Sequence, residues 1–237
     1  MPCTTQSEYI FRLGFSFYKK IKKIKVMEIK IDSTCKGTRI LAGDTAKKKR
    51  DAINKMIEIV ESYGYTEIMI PILNKEETFA SKVGEENNNL MYKFKDLGDR
   101  NLCLAPEYTS IIIQLTEEKF KYQKDVKLFY IGECFRAEKN QKGRYRQFTQ
   151  FGVEVLNPSV NYLPELIEIS IKLVELFTNC YELNLDVTRG LNIYQDNKGF
   201  EISCSNLGSS KQVCGGGIYK NGAGFAIGLD RILLAQY

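Results

Sequence analysis

Apolar residues recur at helical spacing after Thr45. Ile53, Met56, Ile57 and Val60 form one stripe, and Gly64 closes the run between Tyr63 and Tyr65. The next segment, TEIMIPIL (66–73), is rich in β-formers and reads as a strand ending around Pro71, which suits a sheet edge. MYKFKD and RNLCLAP read as two strands joined at Gly98, a hairpin. Pro106 then opens a helix with Glu107 in its first turn and Ile111, Ile112 and Leu115 on its inner face. LFYIGECFRAEK (128–139) and RQFTQFGVEVL (146–156) flank a polar, basic loop and make a long antiparallel hairpin. An amphipathic helix covers about 160–179, its stripe being Leu166, Ile169, Leu173, Val174 and Phe177. The last third returns to strands, YELNLDV, FEISCS and the glycine run 215–217, before a final helix, FAIGLDRILLA. With no repeat, low-complexity tract or linker, the pattern predicts one α+β domain on a mainly antiparallel sheet flanked by helices.

Residues 1–35 stand apart as a basic extension. They mix Tyr9, Phe11, Phe15, Phe17 and Tyr18 with the run KKIKKIK, either an arm near a nucleic acid or a solvated extension. Over all 237 residues Lys and Arg outnumber Asp and Glu by 34 to 29, an excess that tolerates a polyanionic partner without demanding one. Seven scattered cysteines, none spaced as CxxC, argue against a disulfide framework or a closed zinc site. No apolar stretch approaches the length of a membrane span, and a reducing, cytoplasmic setting is expected.

The composition changes the picture most through histidine, of which there is none. That excludes Ser-His-Asp and Cys-His hydrolysis, histidine acid/base catalysis and most zinc enzymes. Chemistry must rest on carboxylates, amines, guanidinium groups, phenols or thiols. The segment FRAEKNQKGRYRQFTQFGVE supplies several. Arg136 and Glu138, two apart, share a face of one strand. Phe148, Gln150, Gly152 and Glu154 share a face of its partner. Such a row is either a solvent-facing surface with cross-strand ion pairs or a polar ligand floor. As a floor, its guanidinium would take phosphate or carboxylate and its ring a nucleobase, with Lys142, Arg144 and Arg146 at the rim. GAGFAIGLDRIL adds Gly222, Gly224 and Gly228 before Arg231, which reads as a phosphate cradle at a helix start or as tight helix–sheet packing. TRGLNIY carries Arg189, and APEYT carries Glu107 and Thr109.

Together these segments resemble the class II aminoacyl-tRNA synthetases, in the form of histidyl-tRNA synthetase. FRAEKNQKGRYRQFTQFGVE resembles motif 2, GFAIGLDRILL motif 3 and YGYTEIMIPIL motif 1. TRGLNIY and GGGIY resemble the histidine-specific RGLDYY and GGRYD, and LAPEYT resembles RPEGT. The similarity runs from about Lys36 to the C-terminus, so residues 36–237 would be a catalytic core. Only one helix and one strand lie between Glu154 and Arg189, where the family carries an insertion domain. The sequence stops after motif 3, without an anticodon-binding domain.

The resemblance implies the antiparallel class II fold, a homodimer formed through motif 1, and use of ATP with Mg2+ whose ligands the sequence does not identify. It implies activation of histidine to its adenylate and transfer to tRNA. Arg136 would clamp the α-phosphate and the substrate carboxylate. Arg231 would hold the γ-phosphate of a bent ATP, Phe148 would stack the adenine, and Glu138 would read its edge. Arg189 would be the extra catalytic arginine. Glu107 and Gln150 would bind the ammonium group, Glu154 and Tyr194 would hold the imidazole, and Thr109 would be a further substrate-binding residue. Four positions depart from the family pattern. Tyr108 stands in place of the PEGT glycine and adds bulk beside the pocket. Asn192 and Ile193 stand in RGLDYY, and Ile218 stands for the arginine of GGRYD. The alternative is a non-catalytic histidine sensor of the kind that regulates ATP phosphoribosyltransferase, which shares this core.

Overall fold

The computed structural model describes residues 33–80, 88–139, 141, 143–188, 193–208 and 211–235. Most of the basic extension therefore lies outside the described residues, as do Lys142, Arg189 and Asn192. Helix α1 (Asp44–Ser62) starts with Asp44 in its first turn, where a carboxylate complements the helix dipole. It ends as the stripe predicts: Gly64, at φ 82°, donates its N–H to the Glu61 carbonyl, and Tyr65 donates to Val60. Ala52, Met56 and Val60 are buried.

TEIMIPIL is not one strand. Only β1 (Thr66–Glu67) pairs, in parallel, with the later strand at Leu128–Phe129. After the Ile68 N–H donates to Phe129, Pro71 offers no donor, and the chain enters β2 (Leu73–Lys75) of a separate small sheet. Helix α2 (Glu77–Ala80) follows, then β3 (Lys93–Lys95) and β4 (Asn101–Leu104), the expected hairpin. Asp96 closes its turn by accepting from the N–H groups of Gly98 and Arg100. Helix α3 (Thr109–Glu118) begins three residues later than the proline suggests, and its buried positions include Ile112, Ile113 and Thr116. Ile111 and Leu115 of the expected inner face are only half-buried.

Strands β5 (Val126–Phe135) and β6 (Gln147–Leu156) form the long antiparallel hairpin, in register from Val126–Leu156 to Phe135–Gln147. Helix α4 (Leu163–Glu175) buries Leu166, Ile169, Leu173 and Val174 completely. At about 1.5–3 kcal/mol per side chain, that stripe binds the helix to the sheet. Then come β7 (Glu182–Val187), β8 (Tyr194–Ser203), β9 (Gln212–Tyr219), β10 (Gly222–Gly228) and α5 (Leu229–Ile232). The expected final helix is thus mostly a strand. Ala223, Phe225 and Ile227 alternate inward at period two, and only one helical turn follows Gly228.

The seven strands lie in the order β1-β5-β6-β10-β9-β8-β7, all antiparallel apart from the β1–β5 pair. One face carries the core, where Phe129, Phe151, Phe200, Phe225 and Ile202 meet the stripes of α1 and α4. The opposite face is paved with small residues. One row across the sheet reads Tyr130, Gly152, Ala226, Gly215, Glu201, and the next reads Leu128, Glu154, Gly224, Gly217, Gly199. A second apolar cluster, with Phe79, Met91, Tyr108, Ile112 and Tyr130, packs beside this face. Four of the six described cysteines, Cys103, Cys134, Cys204 and Cys214, are buried thiols. Among the described residues, no helix is long and apolar enough to cross a membrane.

Candidate active site

Because Gly152, Ala226, Gly215, Gly224 and Gly217 carry little or no side chain, the middle of this sheet face leaves a hollow. A cavity of about 460 Å³ opens over it, with Phe148, Gln150, Gly215, Ala226, Gly228 and Glu201 among its floor and walls. Glu107, Thr109, Arg136, Glu138, Tyr194 and Arg231 also line it. Eight of the ten residues singled out from sequence thus surround one space. Glu154 lies buried in the adjoining row of the sheet, and Arg189 lies outside the described residues.

The basic end is held by backbone carbonyls. Arg136 follows the end of β5, so it and Glu138 project from the start of the loop rather than from the strand as expected. The Arg136 Nε–H donates to the Pro106 carbonyl at 2.9 Å, and the guanidinium stands 5.3 Å from the centre of the Phe148 ring. Arg231 donates through Nη1 to the Gln212 carbonyl (2.7 Å) and through Nε to Gly143 (3.1 Å). Its burial lowers its pKa, and the nearby charges of Arg144 and Arg136 add to that against the opposing pull of Glu138. An arginine remains charged under such a shift, so positive charge is concentrated at this end. Glu138 is ion-paired with Arg144 at 2.7 Å, and Arg146 donates to its carbonyl.

The other end is built from buried carboxylates and phenols. Glu107 sits two residues before α3 and accepts the Ser110 N–H at 3.1–3.2 Å, so it takes up a donor that the helix start leaves unpaired. Burial raises its pKa, and the Ser110 bonds and Arg136 only partly offset that. Glu154 accepts from the Tyr219 hydroxyl at 2.8 Å and from Thr109 at 3.4 Å. Burial again dominates, and its carboxyl is pushed up to about 8. Gly224 makes room for it: a Cβ there would stand 1.7 Å from Glu154 Oε2.

Tyr108 does not narrow the cavity as the sequence suggests. Its ring turns away into the second apolar cluster, where a Cβ on Gly132 would stand 2.4 Å from it, and its hydroxyl donates to the Glu133 carbonyl. Three residues were missed in the sequence. Tyr219, the tyrosine of GGGIY, touches Glu154 directly. Tyr130 covers Gly152 and packs tilted against Tyr108, ring centres 4.9 Å apart, with its buried hydroxyl left without a hydrogen-bond partner among the described residues. Asp230, just before Arg231, lines the cavity and joins a charged network. The usable signal was period two: Tyr219 pairs with Gly222 and so falls on the glycine face.

Among the described residues no three acidic or sulfur-bearing side chains cluster as a metal site. Of the carboxylates at the cavity, Glu138 is paired with Arg144 and Asp230 with Arg39 and Lys49. In chemical terms the arrangement offers an anion clamp and a stacking ring at one end, and buried acceptors for a small cationic or imidazole-like group at the other.

A family model described as histidyl-tRNA synthetase matches residues 37–196. A histidine–tRNA ligase of Methanocaldococcus jannaschii is 41% identical over 122 residues, covering 51% of this chain and 29% of that protein. The chain thus spans about a third or less of the length of the curated relatives it matches. Among solved structures, apo histidyl-tRNA synthetase of S. aureus aligns with a TM-score of 0.72 at 27% identity, over 86% of this chain and 70% of that one. An ATP phosphoribosyltransferase regulatory subunit/histidyl-tRNA synthetase from Bacillus halodurans aligns equally well, TM-score 0.72, over 89% of this chain and 84% of its own. At 15% identity that likeness shows the fold alone. The fold is that of the class II synthetase core.

Proposed function

Because this chain belongs to the histidyl-tRNA synthetase family, we propose that it joins histidine to ATP as histidyl-adenylate and passes the histidyl group to tRNA. One observation carries the reading: a single cavity is lined by Arg136, Arg231 and Phe148 together with Glu107, Gln150 and Tyr194. A polyanion site and an amino-acid site opening on one space are what adenylate formation requires.

In the reaction, a carboxylate oxygen of histidine attacks the α-phosphorus of ATP. The new C–O–P link forms as the bond to the bridging oxygen breaks, and pyrophosphate leaves with the electron pair. The nucleophile is already ionised at neutral pH, so no general base is needed. Alignment and charge neutralisation carry the rate. Arg136 neutralises the α-phosphate and orients the carboxylate, Arg231 holds the γ-phosphate, and Phe148 stacks the adenine with Glu138 at its edge. Arg189 is assigned here as a further α-phosphate cation. Glu107, Thr109 and Gln150 receive the ammonium group, whose positive charge would draw Glu107 into its ionised form. Glu154 and Tyr194 take the imidazole, with Tyr219 fixing the Glu154 carboxyl. Mg2+ bound with ATP would share the phosphate charge.

This reading treats residues 36–237 as the catalytic core, residues 1–35 as a basic extension, and the active species as a cytoplasmic homodimer paired through motif 1. Calorimetric titration with ATP tests it against the sensor alternative. Saturable ATP binding that Arg231→Ala abolishes is the expected result. Histidine binding without any ATP binding would favour a sensor.

A further inference from the structure

Asp230, which precedes the arginine assigned to the γ-phosphate, has three partners at the basic end of the cavity. It is 5% exposed. Its Oδ1 accepts from Arg39 at 2.5 Å and from Lys49 at 3.3 Å, and its Oδ2 accepts the backbone N–H of Thr149 at 2.6 Å. The last bond has a topological cause. The β6–β10 ladder ends at Gln150–Gly228, so the Thr149 N–H projects toward an edge where β10 no longer runs. The Asp230 carboxylate occupies the missing ladder position. Thr149 sits between Phe148 and Gln150, so this one carboxylate fixes the backbone that carries both.

The two cations extend the brace. Arg39 also lies over the Tyr145 ring at 3.5 Å, and Tyr145 and Gly143 belong to the loop whose Gly143 carbonyl accepts from Arg231. Lys49 on α1 reaches the Thr149 hydroxyl and stands 3.8 Å from Glu133, to which that hydroxyl donates. The contacts close a ring: Asp230 to Arg39, to Tyr145, along the loop to Gly143, and back through Arg231. An asparagine could still accept the Thr149 N–H. It could not balance two partly buried cations, which are costly to leave unpaired.

We propose that Asp230 is a positioning residue for the nucleotide: it sets Arg231 relative to Phe148 and the β5–β6 loop, so that both ends of ATP meet their partners in one geometry. This inference rests on the reading of the cavity as an ATP site.

The test compares equilibrium binding of ATP and of histidine to wild type, Asp230→Asn and Asp230→Ala, with thermal melts alongside. The expected result for Asp230→Ala is ATP affinity weakened about tenfold or more, the scale of a lost charged hydrogen bond. Histidine affinity should fall several-fold less than ATP affinity, because Thr149 also carries Gln150 while Arg231 and Phe148 serve the nucleotide alone. Asp230→Asn should fall between wild type and Asp230→Ala for ATP. Equal weakening of both ligands with a lower melting temperature would make Asp230 merely structural and overturn the proposal, as would unchanged ATP affinity in both variants. If Asp230→Ala does not fold, Asp230→Asn and Arg39→Gln carry the test, each expected to weaken ATP selectively. Wild type that binds no ATP would defeat the nucleotide reading itself, and this proposal with it. Failure confined to the variants defeats the proposal alone.

Discussion

Glu154 and Arg136 make the most direct residue-scale predictions. The Glu154 carboxyl, pushed up to about 8 by burial, holds a proton that the unfolded chain releases near 4.5. Its folded pKa is raised, so its stabilising contribution is complete below about 4.5 and is lost as pH rises through about 8. Glu107 is shifted the same way and by the same cause. Melting curves of wild type between pH 5 and 8 should therefore fall more steeply with pH than those of Glu154→Gln, by up to about 1.4 kcal/mol per pH unit. Parallel curves would mean that the buried carboxyl ionises freely. Arg136→Ala should leave the melting temperature nearly unchanged while lowering histidine-dependent pyrophosphate exchange by at least about a hundredfold. Retained exchange would remove Arg136 from the mechanism. Phe148, Gln150 and Glu154 were legible because residues in a strand share a face at every second position, and the other candidate ligands through the motifs they sit in. Tyr108 was misjudged because its ring has somewhere else to go: Gly132, on a different element, leaves the hollow that receives it, and no local pattern announces that pairing.

At the scale of elements, the glycines of β6 and β10 decide what the sheet face can hold. A Cβ on Gly152 would stand 2.1 Å from the Tyr130 ring, and neither ring nor backbone can yield cheaply. Gly152→Ala should cost about 1–3 kcal/mol, read from denaturant unfolding, as overpacking does elsewhere. Gly224→Ala would press on both the Glu154 carboxylate and the Val153 carbonyl, so histidine affinity and the melting temperature should fall together; an unchanged melting temperature with unchanged histidine affinity would contradict this packing. The α4 helix was legible in its unbroken 3.6 stripe. β10 was not, because FAIGLDRILLA is apolar enough to pass for a helix. The alternation of Gly222, Gly224 and Ala226 with Ala223, Phe225 and Ile227 is the signal that separates the two. TEIMIPIL departs from the expectation for a different reason: its composition favours a strand, but after the Ile68 N–H bond the segment leaves β5, which runs on to Phe135, and Pro71 withdraws a donor.

For the whole molecule, the sequence motifs reported the layout of the site better than they reported the elements carrying it. The motif 2 hairpin and the motif 3 arginine converge on one cavity because β6 and β10 are neighbours in the sheet order. That adjacency is a property of topology which periodicity cannot express. Met69, Ile72, Leu73 and Phe94 remain exposed in or beside the small sheet, in the region assigned to motif 1. Exposed apolar groups gathered in one region suit a two-fold contact. Light scattering at micromolar concentration should return a dimer mass, and Leu73→Lys with Met69→Lys should return a monomer. A monomeric wild type would contradict the motif 1 pairing. The central claim is that the two ends of this cavity bring histidine and ATP together. Amino-acid-dependent ATP–pyrophosphate exchange, run with each of the twenty amino acids, tests it most directly. Exchange with histidine and with no other amino acid is the predicted result, and exchange with none of them would contradict the account.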